Sequence, residues 1–374
     1  MSSQFNRREF GTLALATLPV AAGFSARVLF AQGAAPGRPD SRFGGVQIGA
    51  ISGSFGTLPV DQLIPSLLKV GLSEVALTSG HAEALAGAPA GAGGGGTPAA
   101  EPPQLNAHGL LPRCADMQMV LPFSTTGGEG NRVAGPPSTP EQQAAQQAQA
   151  RRLQDWRNAT TPATWRAVRK KFTDAGIDLR VLWYGLGFGG NPPTDETIEY
   201  AFTMARGLGV KTMSGSSMLN IAPRIAAAAD RHKMVWAGHT QDNIHNPDQF
   251  ATPEAYEKLL ALSPYLGICL DVGYFTAAGY DSVAFIQKHH ARITDIHLKD
   301  RKRSKSLGGD VTNNLLNNWP WGQGDAPLSE VLQLLKKEKW DIPVQIEYDY
   351  GCRTTSDAVT EVRRCLDYCR AALA

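Results

Sequence analysis

Short apolar runs alternate with amphipathic stretches along most of this chain. Gly45-Val-Gln-Ile-Gly-Ala-Ile51 reads as a first buried strand, followed by a helix over Val60–Val70. Glu74-Val-Ala-Leu-Thr78 reads as a second strand. After an interruption the alternation resumes with a helix over Pro162–Ala175 and a strand over Leu179–Tyr184. Helices over Thr194–Leu208, Ile221–Arg231 and Pro253–Leu262 then lead into strands at Val210–Met213, Lys233–Trp236 and Leu266–Asp271. Helices over Asp281–His290 and Pro327–Lys339 precede strands at Arg292–Asp300 and Ile342–Glu347, and a last helix covers Ser356–Leu373. Eight strands alternating with eight helices predict a parallel sheet with right-handed crossovers. No Gly-x-Gly-x-x-Gly follows the first strand, which disfavours an open dinucleotide-binding sheet. Gly185–Gly190 is Gly-rich, but it follows the third strand and has no P-loop Lys, so it reads as a rim loop. The expectation is a closed (β/α)8 TIM barrel over residues 44–374.

The interruption spans residues 82–150, with Gly93–Gly96, many prolines and the Gln/Ala tract Glu141–Ala150. It reads as a low-complexity, largely irregular insertion after the second strand, with Leu110–Phe123 as a more apolar piece inside it. Residues 1–35 read as an export signal. Asn6-Arg-Arg-Glu-Phe10 precedes an apolar run from Leu13 to Phe24, and small residues follow near Ala31–Ala35. The run is short for a bilayer span. Paired Arg7 and Arg8 with Phe10 resemble a twin-arginine signal, which points to a periplasmic or otherwise exported protein with no membrane segment after processing.

The chain's 374 residues, 43% of them apolar, suffice for one large barrel with insertions. A net charge of +2, with Arg301-Lys-Arg-Ser-Lys305 as a short basic stretch, does not make a nucleic-acid surface. Cys114, Cys269, Cys352, Cys365 and Cys369 form no zinc or redox spacing, although an exported protein could pair some of them.

Candidate chemistry gathers at strand ends. The sixth strand closes on Asp271, the seventh carries His297, Lys299 and Asp300, and the eighth closes on Glu347. The fifth ends near His239. Any one of these has a plain structural role available, such as a helix cap or a buried hydrogen bond. Carboxylate, imidazole and carboxylate on three successive strand ends point instead to one divalent ion held by Asp271, His297 and Glu347, with His239 as a fourth ligand. Mixed nitrogen and oxygen donors suit Mn, Co, Zn or Fe better than Mg. His289 and His290 sit at a helix end and are given no functional role.

Leu270-Asp-Val-Gly-Tyr274 with Ala278-Gly-Tyr-Asp281, Asp295-Ile-His-Leu-Lys-Asp300, Gly322-Gln-Gly-Asp325 and Glu347 resemble, in order and spacing, the xylose-isomerase-like barrel superfamily of sugar isomerases, epimerases and dehydratases. The resemblance implies a metal-dependent isomerase or epimerase acting on a sugar or keto-sugar by removing a proton next to a carbonyl. It implies Asp271, His297 and Glu347 as metal ligands. Ala237 stands where the epimerases carry a strand-five Glu, and His239 follows two residues on; Tyr274 stands where many members have a His. With only Glu347 left of the usual carboxylate pair, Glu347 is the expected base and His239 a second catalytic group. Lys299 either stabilises a developing enolate or pairs with a carboxylate. Loss of a leaving group from a 3-keto-glycoside needs fewer carboxylates than two-base epimerisation, and a non-catalytic sugar-binding barrel is a further alternative. The abasic-site nucleases of the superfamily need a larger ligand set and a basic groove, which this chain does not have.

The export reading has a direct check. Arg7→Lys combined with Arg8→Lys should leave unprocessed precursor inside the cell, read by fractionation and immunoblot. Unchanged export would remove it.

Overall fold

In the computed structural model, residues 38–89, 139–188, 192–241, 243–303 and 317–374 are described. The signal-like residues 1–35 and the Leu110–Phe123 piece lie outside them. A two-residue antiparallel lead-in at Arg42–Phe43 precedes eight parallel strands. These are β1 Val46–Ile51, β2 Glu74–Thr78, β3 Asp178–Trp183, β4 Thr212–Gly215, β5 Val235–His239, β6 Leu266–Asp271, β7 Ile293–Leu298 and β8 Val344–Ile346. Each pairs with the next, and β1 pairs with β8 through Ile48↔Val344 and Ala50↔Ile346, so the sheet closes. The expected (β/α)8 barrel is the observed fold.

The helices are α1 Leu63–Val70, α2 Ser79–Leu85, α3 Pro140–Ala159, α4 Pro162–Asp174, α5 Asp195–Leu208, α6 Ala222–His232, α7 Pro253–Leu262, α8 Val272–Ala277, α9 Ser282–His289, α10 Leu328–Glu338 and α11 Ala358–Ala372. Their starts follow from local chemistry. Thr194, Thr252, Asp281 and Asp357 each accept a backbone N–H from the first turn of the helix they open. The apolar faces of the helices pack on the outward side chains of the strands, forming one continuous core that includes Trp165, Phe202, Trp236, Leu270, Ile296 and Leu366. No helix among the described residues is long and apolar enough to cross a membrane.

Three elements depart from the expectations. The Gln/Ala tract, expected as irregular, belongs to the 20-residue helix α3. Low complexity hid good helix formers behind a complete start signal, in which Thr139 and Gln142 bond each other's backbone N–H groups and Pro140 opens the first turn. The far end of α3 is tied to the barrel by Arg157, whose Nε and Nη2 grip both oxygens of buried Glu83 at 2.7 and 3.0 Å. The second departure is α8, which starts directly at the end of β6. The third is the fifth strand, which runs to His239 rather than stopping at Trp236.

Strand alternation places a polar layer inside the barrel. Glu74 and Gln345 meet there, with Gln345 Nε2 donating to Glu74 Oε1 at 2.7 Å. Gly49 leaves room for the pair, since a Cβ at that position would stand 2.7 Å from Gln345 Oε1. Glu74 Oε2 finds no partner among the described residues. Burial outweighs the nearby Arg180 charge and the Gln345 bond, pushing the Glu74 carboxyl up to about 8 from 4.5.

Because the folded value is raised, the stability linked to Glu74 is present below about pH 4.5. It is lost as the pH climbs through about 8. Glu74→Gln keeps the acceptor oxygen and removes the charge. Its thermal midpoint should lie near that of the wild type at about pH 5 and exceed it by several degrees at about pH 8.5. A melting series showing the same offset at both pH values would contradict this.

Candidate metal centre

Four inward-facing side chains converge at the carboxyl-terminal mouth of the barrel. His239 closes β5, Asp271 closes β6, His297 lies near the end of β7, and Glu347 follows β8. One donor atom from each lies within 4.8 Å of every other. The register explains the convergence, because Asp271 pairs with His297 and the strand ends share one level. The β5–β6 edge is locked by Thr240, whose Oγ1 accepts the Asp271 N–H at 3.0 Å and shares a 2.7 Å hydrogen bond with Tyr256 Oη.

Each group divides its atoms between structure and site. Asp271 Oδ1 accepts the Tyr274 N–H at 2.8 Å and so caps α8. Its Oδ2 faces His239 Nε2 at 3.6 Å and Lys299 Nζ at 3.2 Å. Glu347 Oε2 lies 2.7 Å from His297 Nδ1 and 3.8 Å from His239 Nε2, while Oε1 forms an ion pair with Lys299 Nζ at 2.8 Å. Neither ring nitrogen of His239 has a hydrogen-bond partner among the described residues. Asp271 and His297 are sealed, and Glu347 keeps 15% of its side chain exposed, which makes it the carboxylate of the four that a bound molecule can reach.

Lys299 is buried among three carboxylates, since Asp349 Oδ2 also stands 2.8 Å from its ammonium. Three carboxylates, Asp271, Glu347 and Asp349, thus face one ammonium. Burial raises the Asp271 carboxyl, and Lys299 only partly offsets it. Burial acts the same way on Glu347, but Lys299 and the two imidazoles hold it well below its usual range. For His297, burial would favour the neutral ring, yet Cys269, Asp295 and Glu347 together push it well above the ordinary range. Carboxylates that outnumber the ammonium, and an imidazole, His239, with no hydrogen bond among the described residues, are what a divalent cation would relieve. The donor set of two nitrogens and two carboxylates fits such an ion. Cys269 offers a competing set with the two histidines, but its thiol donates to Asp295 Oδ2 at 3.2 Å and burial pushes its pKa up. The carboxylate set is the better match.

All four expected ligands meet, and Lys299 stands beside them. Ala237 is fully buried on β5 with no charge to offer. Three residues of the site were not singled out from sequence. Asp295 Oδ2 lies 3.4 Å from His297 Nε2, the nitrogen turned away from the other donors. Ser214, Cys269 and Thr294 donate to the Asp295 carboxylate and hold it in place. Its position two residues before His297 on one strand was the available signal, since that spacing puts both on one face. Asp349 stands two residues beyond Glu347, past the end of β8. Trp183, at the end of β3, turns its ring edge-on to His239 with centroids 6.4 Å apart. The neighbouring Asp300 takes no part in the donor cluster. Its carboxylate accepts the N–H groups of Gly322, Gly324 and Ala326 at 2.8–3.2 Å, and a Cβ on Gly324 would collide with it at 1.9 Å. The Gly-x-Gly motif is thus a loop pinned to the β7 end.

The family described as the xylose isomerase-like TIM barrel matches residues 144–371. No curated protein matches the chain. Among solved structures, the IOLI protein with a bound zinc atom is 13% identical, with a TM-score of 0.53 over 87% of this chain and 98% of that one. A probable 3-DHS dehydratase, AsbF, from Bacillus anthracis is 13% identical, with a TM-score of 0.52 over 86% and 98%. The 3-keto-D-glucoside 4-epimerase YcjR from E. coli is 10% identical, with a TM-score of 0.50 over 87% and 99%. At these identities the likeness speaks to the fold.

Asp295 faces the far nitrogen of His297 at 3.4 Å, so if His297 holds an ion, Asp295→Asn should weaken binding of Co or Zn by about 10–100-fold, read by competition titration against a chromophoric chelator. Affinity equal to the wild type would assign Asp295 a purely structural role.

Proposed function

The chain belongs to the xylose isomerase-like TIM barrel family, and from that premise we propose that it is a divalent-metal enzyme removing a proton next to the carbonyl of a sugar or keto-sugar. The observation that carries the reading is the convergence of His239, Asp271, His297 and Glu347, with Glu347 the exposed member. An ion held by these four would polarise a carbonyl oxygen and acidify the adjacent C–H. The rest falls to the chain's own groups. Glu347 takes the proton. Its charged form is favoured by Lys299 at 2.8 Å, so it stands ready as a base at neutral pH. Lys299 also sets a positive charge beside the enolate that forms. Trp183 and Tyr274 set their rings edge-on to His239, with centroids 6.4 and 6.0 Å away.

A second reading is favoured by β5, whose inward positions carry Ala237 and His239 and no carboxylate. Two-base epimerisation needs a base on each face of the carbon. Elimination from a 3-keto-glycoside needs one. Glu347 would take the C2 proton, the electron pair would form the C2–C1 double bond, and the C1–oxygen bond would break with the departing oxygen receiving the proton back. A barrel that binds a sugar without turnover is the outcome if no exchange is found. We also place the mature protein outside the cytoplasm. The support is the Arg7-Arg8 pair ahead of the apolar run from Leu13 to Phe24.

The test is proton NMR in heavy water, with methyl 3-keto-β-D-glucopyranoside and a ketohexose panel, after metal analysis of the purified protein. Wild type should wash out the proton beside the carbonyl and, on the glycoside, release methanol if the elimination reading holds. Glu347→Gln should abolish exchange while retaining part of the metal, and His297→Ala should lose both. A wild-type protein, purified without chelator and offered Mn, Co, Zn or Mg, that binds no ion would end the proposal.

A further inference from the structure

Across the mouth from the metal ligands, the ends of β1 and β2 hold a second polar group that the mechanism above does not use. His81 sits in α2, three residues past the end of β2, and is 8% exposed. Its Nδ1 lies 2.9 Å from Ser52 Oγ and 3.1 Å from Thr78 Oγ1, and the two hydroxyls are 3.0 Å apart. Ser52 Oγ also accepts the Thr78 N–H at 2.9 Å, so the triangle is fixed to the backbone. Burial favours the neutral ring. With Nδ1 committed to the hydroxyls, Nε2 has one hydrogen bond left to make. It takes no partner among the described residues, and it is not among the sealed atoms.

The position of this group relates it to the mouth on both sides. Towards β8, Ser54 Oγ donates to Ile346 O at 3.2 Å and accepts the Tyr348 N–H at 2.9 Å, so the turn after β1 is stitched to the chain on either side of Glu347. Towards β3, Thr78 pairs with Trp183, the ring that stands edge-on to His239. Beneath them Ile51, Ala76, Val181 and Trp183 form an apolar inner cluster separate from the main core. A single oriented imidazole above an apolar wall is a poor water trap and a good match for a sugar, which offers an apolar ring face with hydroxyls at its edge.

We infer that His81 contacts a substrate hydroxyl through Nε2, with Ser52 and Thr78 fixing the ring and Trp183 supplying the adjoining apolar face. The subsite rests on the sugar reading proposed above and adds where the part of the sugar remote from the reacting carbon is held. No proton is transferred at His81. It positions the substrate, and the effect belongs in KM.

His81→Phe keeps the ring and removes the nitrogen. With methyl 3-keto-β-D-glucopyranoside it should raise KM about 5–20-fold, with kcat within about threefold of wild type and metal content unchanged. Deoxy analogues of the same glycoside locate the contact. One of the 4-deoxy and 6-deoxy forms should bind more weakly than the parent to wild type but equally to His81→Phe. Should that variant not fold, His81→Asn carries the same reading, because its side chain is too short to reach. Wild-type KM values and an unchanged analogue pattern in the folded variant would overturn the subsite and leave the sugar reading intact. Loss of metal together with turnover would overturn it too, by assigning His81 a structural role. Failure of the wild type to bind the glycoside would overturn both.

Discussion

A buried ammonium shared by three carboxylates governs the mouth of this barrel. Lys299 touches Asp271, Glu347 and Asp349, which belong to β6 and to the chain beyond β8, while Lys299 itself follows β7. Isolated charges cannot stay in so dry a place. Their grouping is therefore obligatory, and it draws three neighbouring strand ends to one point. One ammonium faces three carboxylates, an imbalance that would suit a divalent cation.

The polar layers below the mouth serve that arrangement. Asp295 faces the back of His297 and is itself held by three donors on β4, β6 and β7. This ordering of a ligand by a carboxylate, and of the carboxylate by hydroxyls and a thiol, is how a preorganised centre is built. Deeper still, Glu74 and Gln345 form a pair with an unsatisfied oxygen on each side chain. That layer costs stability at high pH.

The loops divide the labour around the rim. Asp300 pins the Gly322–Ala326 turn beside the metal side, and Ser54 ties the turn after β1 to the chain around Glu347. Opposite, Glu83 anchors α3 through Arg157, and Tyr200 Oη donates to the same carboxylate at 3.0 Å. His81 and Glu83 lie on one short helix, one turned to the mouth's hydroxyl triangle and the other to α3. Helix α2 thus meets the mouth through one residue and α3 through the other.

The barrel was legible in the sequence because burial on both faces forces parallel strands into short apolar runs, and each run ended on a recognisable turn or polar residue. Asp271, His297, Lys299 and Glu347 could be read as a group because the topology sends successive strand ends to one rim. Helix α3 was hidden because composition is a statement about complexity, whereas Thr139, Pro140 and Gln142 make a local start signal that works in any composition. Asp295 shares the strand alternation of His297, and Asp349 follows Glu347 beyond the last strand, yet their roles depend on which side chains lie across from them, and distance in sequence carries no such information. His81, Ser52 and Thr78 meet only because β1 and β2 end side by side, 29 positions separating Ser52 from His81. The sequence by itself determined the strand order and the residue types at each end. Tertiary structure decided which of those ends share a charge, because Coulomb and hydrogen-bond energies act over a few ångströms of space and are indifferent to position along the chain.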